Sequence, residues 1–114
     1  MKQIKETLDE ILNNFTKLIE QSTPNIQEAS KLIIKSLKDG KKIMFCGNGG
    51  SAADAQHLAA EMLVRLRPDN NREGIAAITL AQDTSTITAC GNDFGYDMLY
   101  ERVLRALGRS GDCL

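Results

Sequence analysis

The sequence predicts an α/β fold with a parallel sheet, and three observations carry that reading. Short apolar runs alternate with helical patterns, the first run is bounded by glycine at both ends, and it feeds a Gly-rich turn that opens a helix. Strands alternating with helices imply parallel pairing through right-handed crossovers, with helices layered against the sheet. Residues 42–46 (Lys-Ile-Met-Phe-Cys) form the bounded run and read as a buried parallel strand. Cys46 is expected to be plain filler of that strand, as free cysteines often are.

The remaining elements follow from periodicity and punctuation. Ile4, Leu8, Ile11, Leu12, Phe15, Leu18 and Ile19 recur at spacings of three and four, an amphipathic helix with one apolar stripe. A stripe of that length must pack against something, and a partner subunit is as plausible as the chain's own core. Gln21-Ser22-Thr23-Pro24 is expected to break the helix. Asn25 and Glu28 then read as a capping box for a second helix, with Leu32, Ile33 and Leu37 inward and Asp39-Gly40 as its stop. A helix pair therefore precedes the first strand.

After the turn Gly47-Asn48-Gly49-Gly50, Ser51 and Asp54 read as another capping box, for a helix over about 51–66. Residues 67–71 form a loop, and residues 74–80 a second strand. Asp83 caps a short helix to about Ala89, Gly91-Asn92-Asp93-Phe94-Gly95 is a turn, and Asp97 caps a helix to Leu107. Cys113-Leu114 resembles a third strand cut short. Two strands and a stub make a small sheet, so the sandwich is expected to be incomplete in these residues. The reading is one partial domain over 1–114, with 1–22 a helical arm in oligomer contacts and 41–114 the first half of the α/β sandwich.

The bulk numbers exclude several classes. A chain of 114 residues suits one small domain, and 42% hydrophobic with 25% charged residues is ordinary for a folded one. A net charge of −1 provides no whole-chain field toward nucleic acid or an anionic membrane, so neither is expected as a partner. No run of about 18 apolar residues exists to span a bilayer, and residues 1–6 lack the apolar core of a secretory signal. Three widely spaced cysteines, an odd count, fit a reduced cytoplasmic setting.

Three segments carry chemistry. Gly47-Asn48-Gly49-Gly50-Ser51 lies between a strand's carboxyl end and a helix N-terminus, the edge where open α/β sheets bind ligands. Its glycines admit close backbone approach, the helix offers free amides, and Asn48 and Ser51 add side-chain donors for hydroxyls or phosphate. A purely structural turn fits the same residues. Position 52 is Ala, so the dinucleotide pattern is incomplete, and no Gly-Lys-Ser/Thr occurs. Further along that helix His57, the sole histidine, and Glu61 are four apart and share a face. The spacing suits two ligands of one metal or a carboxylate base beside a metal, and equally a solvated surface pair. Asn92 and Asp93, beyond the second strand, are turn formers that could also bind hydroxyls.

Taken in order, Cys46-Gly47-Asn48-Gly49-Gly50-Ser51, Asp54-Ala55-Gln56-His57, Glu61 and Gly91-Asn92-Asp93-Phe94-Gly95 resemble the phosphoheptose isomerases of the sugar isomerase (SIS) domain superfamily. The resemblance implies a flavodoxin-like, three-layer sandwich, assembled as a homotetramer with active sites between subunits. It implies interconversion of sedoheptulose 7-phosphate and D-glycero-D-manno-heptose 7-phosphate, early in the synthesis of bacterial cell-surface heptose. By that likeness Asn48, Gly49, Gly50, Ser51, Glu61, Asn92 and Asp93 contact substrate, His57 and Glu61 bind zinc, and Glu61 is the proton-moving base. The family's phosphate loop and later metal ligands have no counterpart in these residues, so the 114 residues alone are expected not to turn over. Three alternatives share features of the sequence. One is a non-catalytic adaptor of the same family that binds the replication initiator, whose members lack the glutamate seen here as Glu61. The others are an isomerase for another sugar phosphate and a structural module built on the N-terminal stripe.

Overall fold

The computed structural model describes residues 2–80 and 83–114. The elements run α1 (Lys2–Lys38), β1 (Ile43–Phe45), α2 (Gly50–Leu63), β2 (Ala77–Thr79), α3 (Thr84–Asp93), a 3₁₀ turn (Tyr96–Met98) and α4 (Leu99–Leu107). The chain divides into two units, Met1–Ile34 and Lys35–Leu114.

The described residues of the first unit are all helical, and here the expected helix pair is corrected. Pro24 lies inside α1, a single helix of 37 residues. Proline removes one amide donor and crowds the carbonyl four residues back, at a cost of about 3 kcal/mol in a helix interior. Its neighbours are exposed, so water can take up the carbonyl that is freed. The Thr23 hydroxyl donates to the Ile19 carbonyl at 2.5 Å, one turn back. Because the helix does not restart, Asn25 has no cap to make, and Glu28 pairs instead with Lys31 at 2.6 Å. The apolar stripe is open in this unit, from 44% exposure at Ile11 to 67% at Ile19. Leu32, expected to face inward, is 65% exposed.

The second unit is the α/β part. β1 and β2 pair in parallel with Ile43 opposite Ala77 and Phe45 opposite Thr79. Ile43 also bridges Cys113 in parallel on its other side, so the third strand is present as one bridge. β1 is thus central, and its Met44 amide donates to the Cys113 carbonyl at 2.7 Å. The core gathers Ile43, Met44, Ala55, Ala59, Leu80, Cys90 and Leu99. Ala55 and Ala59 bring α2 close to the sheet, and the buried Thr79 hydroxyl donates to the Ala55 carbonyl at 3.3 Å. Cys46 lies past the end of β1 and is exposed, not strand filler, because the chain turns outward into the glycine loop at that residue.

Two helix starts also differ from expectation. Gly49, at φ 57° and ψ −121°, turns the chain into α2 one residue before Ser51, which therefore does not cap it. Asp97 falls within the 3₁₀ turn, and α4 begins at Leu99 without a side-chain cap. Asp83 does cap α3, accepting from the Thr86 amide at 2.7 Å. α3 then runs on to Asp93, so Gly91, Asn92 and Asp93 form its last turn and only the chain after them bends away.

Asp112 fixes the returning chain beside β1. Its carboxylate accepts from the Lys42 amide at 3.0 Å, the Lys42 ammonium at 2.5 Å and the Arg109 amide at 2.7 Å. The hydrogen bonds from Lys42, side chain first, lower its pKa from 3.8 to about 2. A carboxyl depressed in the folded state contributes stability above its unfolded value, and that contribution is lost as pH falls through the folded value. Thermal stability is therefore expected to fall as pH drops from about 4 to about 2. The gap between the wild type and Asp112→Asn should close over the same window.

Candidate active site

The glycine loop is shaped by contacts at both ends. A Cβ on Gly47 would lie 2.5 Å from the Ser51 carbonyl oxygen, so only glycine lets the first turn of α2 sit this close to the end of β1. The loop is also tied from across the fold. Asn48 Oδ1 accepts from the Tyr96 hydroxyl at 2.8 Å, and the Tyr100 hydroxyl lies 2.7 Å from the same atom and 2.5 Å from the Gly47 carbonyl oxygen. Burial, followed by the neighbouring Tyr96, raises the Tyr100 pKa, which keeps this phenol a donor. With Oδ1 engaged, Asn48 has its amide nitrogen to offer a ligand, and Asn48, Gly49, Gly50 and Ser51 are all exposed. The two tyrosines were not foreseen; their spacing of four, aligning both on one side of α4 and the turn before it, is the signal that could have marked them.

His57 and Glu61 lie farther along α2 on one face, as their spacing requires. His57 Nε2 is 3.5 Å from Glu61 Oε1. The imidazole is 72% exposed and the carboxylate 25%. Glu61 Oε2 is buried without a hydrogen-bond partner among the described residues. An unpartnered buried carboxylate oxygen is costly, and its natural complements are a cation, a donor from elsewhere or a proton. The donor set fits two ligands of a metal ion. Among the described residues no group of three or more His, Cys, Asp or Glu converges, so the other ligands would come from outside them.

The pair opens onto a cleft of about 560 Å³, whose lining also includes Met62, Arg67, Arg72 and Ile75. The glycine loop stands at the other end of α2, with Ser51 about 15 Å from Glu61 along the helix axis. Asn92 and Asp93 are not in the cleft lining. Asn92 donates to the Asp93 carboxylate at 2.8 Å, and Asp93 lines a separate groove with Phe94 and Arg102, whose guanidinium stacks 3.6 Å above the Phe94 ring. The structure thus unites His57 with Glu61, while the glycine loop lies at the far end of α2 and is tied by Tyr96 to the turn that follows α3.

A family model described as SIS domain matches residues 7–114. The chain belongs to the SIS domain family. Within it, the chain is 49% identical over 98 residues to the phosphoheptose isomerase of Aliarcobacter butzleri, covering 86% of this chain and 51% of that one. It is 44% identical over its full length to the phosphoheptose isomerase of Nitratiruptor sp., of which it covers 60%. The solved phosphoheptose isomerase of Neisseria gonorrhoeae superposes with a TM-score of 0.85 at 38% identity, over 97% of this chain and 56% of that one. The SIS chain described here therefore spans about half the length of the relatives it matches. Its short parallel sheet is the SIS sheet in part, as the strand count predicts. Among the described residues, no helix of this SIS chain is long and apolar enough to cross a membrane.

Proposed function

We propose that the protein carrying this chain interconverts sedoheptulose 7-phosphate and D-glycero-D-manno-heptose 7-phosphate, a cytoplasmic step toward the heptose of bacterial lipopolysaccharide or capsule. The observation that carries the reading is Glu61. In a chain this similar to phosphoheptose isomerases, a largely buried carboxylate has one oxygen toward His57 and the other without a partner among the described residues.

A ketose–aldose exchange moves one proton between adjacent carbons through an enediol, so it needs a base at the substrate. Glu61 would take the C1 proton of the open-chain ketose and return it at C2. The second proton, passing from O1 to O2, needs an acid outside the described residues. His57 and Glu61 fit two ligands of a zinc ion, whose chemistry when bound is polarisation of a carbonyl. Asn48, Gly49, Gly50 and Ser51 offer amides and hydroxyls to the sugar phosphate, with Asn92 and Asp93 as further hydroxyl partners. The exposed stripe of α1 is the face through which a 1–22 arm would join subunits into a tetramer with active sites between them.

Ligand response separates this reading from an adaptor or a structural module. Sugar phosphate with zinc should raise the thermal midpoint of the protein from its uninterrupted reading frame, by about 2.7 kcal/mol of added stability at a hundred times Kd. A folded protein whose midpoint does not move would favour the non-catalytic alternatives.

A further inference from the structure

The geometry points to Arg72 as a positioning residue for Glu61, a role that rests on the isomerase reading above. Glu61 sits in the last turn of α2, where the helix leaves its final carbonyls without intrahelical partners. That turn holds no basic residue, and Glu61 places a carboxylate at the negative end of the helix dipole. Arg72 answers both problems from the loop that follows. Its Nη2 donates to the Glu61 carbonyl at 2.6 Å and its Nη1 to the Met62 carbonyl at 2.9 Å.

The rest of the returning segment closes the same turn. The Ile75 amide donates to the Met62 carbonyl at 3.0 Å, and a Cβ on Gly74 would lie 2.7 Å from the Leu63 carbonyl oxygen. Residues 72–75 thus hold two successive carbonyls, those of Glu61 and Met62, by hydrogen bonds, and Gly74 lets the chain pass close to a third. The guanidinium takes the backbone of Glu61 and leaves Oε2 of its carboxylate without a partner among the described residues. A salt bridge to the side chain would hold the turn equally well but would occupy the base. Planar, two-pronged donation to neighbouring carbonyls suits arginine, and a lysine ammonium cannot reproduce it.

Two readouts on the protein from its uninterrupted reading frame test this. Arg72→Ala is expected to lower kcat by about 10- to 100-fold with KM for the sugar phosphate little changed, as a displaced base would. It should also speed hydrogen exchange at the amides of residues 61–64 while the β1 amides keep their protection. Arg72→Lys, which keeps the charge but not the paired donation and guards against an unfolded alanine variant, should recover part of the thermal midpoint and leave kcat low. Unchanged exchange at residues 61–64 would overturn the inference whatever the activity, and so would faster exchange with wild-type kcat. A wild type that does not turn over the sugar would count against the isomerase reading, and the exchange pattern would still decide whether Arg72 anchors the turn.

Discussion

Glu61→Gln is expected to lower turnover of the sugar phosphate by about 10²- to 10⁴-fold, the range a positioned base contributes. The substitution keeps the size of the side chain and its hydrogen-bonding reach but removes the basic oxygen. Its stability cost should be small, because Oε2 makes no hydrogen bond within the described chain that the amide would break. Steady-state kinetics and a thermal midpoint taken together check the prediction. A drop in kcat with the fold intact is the expected result. Because Glu61 is also one of the two side chains proposed to ligate zinc, zinc affinity should fall in the same variant.

Gly47→Ala is expected to destabilise the fold by about 1–3 kcal/mol, the usual consequence of forcing atoms into a packed site. The new methyl would meet the carbonyl oxygen, carbonyl carbon and Cβ of Ser51 at 2.5, 2.6 and 2.7 Å. Two of those atoms are helix backbone and cannot swing aside. The strand side is held as well, since the Phe45 carbonyl accepts from the Leu80 amide at 2.8 Å. Relief would move the start of α2, and with it the loop that Tyr96 and Tyr100 tie down. Gly50→Ala is the matched comparison, because a Cβ there meets nothing within 4 Å. Its thermal midpoint should stay near the wild type or rise slightly, while that of Gly47→Ala falls by several degrees.

What the sequence disclosed follows the physics of each signal. Alternation of apolar runs with helical periods located β1, β2 and their helices, because burial of one face dictates those periods. Asp83 was legible as a cap because its side chain serves an amide three residues away. Pro24 misled, since the rule that proline ends helices assumes a buried or costly carbonyl, and here the surrounding helix is open to water. Asn92 and Asp93 read as a turn by composition, yet the helix that Asp83 starts carries through them. On α2 the spacing of His57 and Glu61 was enough to place both on one face. The pairings of Arg72, Tyr96 and Tyr100 were out of reach because their partners are 10 or more residues away; only the spacing of four between the two tyrosines was there to align them.

The proposed function makes this SIS chain part of a protein that isomerises a seven-carbon sugar phosphate. The direct measurement is conversion of sedoheptulose 7-phosphate, followed by NMR, with the zinc-supplemented protein from its uninterrupted reading frame. Appearance of D-glycero-D-manno-heptose 7-phosphate, abolished in Glu61→Gln, is the predicted result. A folded, zinc-loaded protein that leaves the ketose unchanged would contradict it.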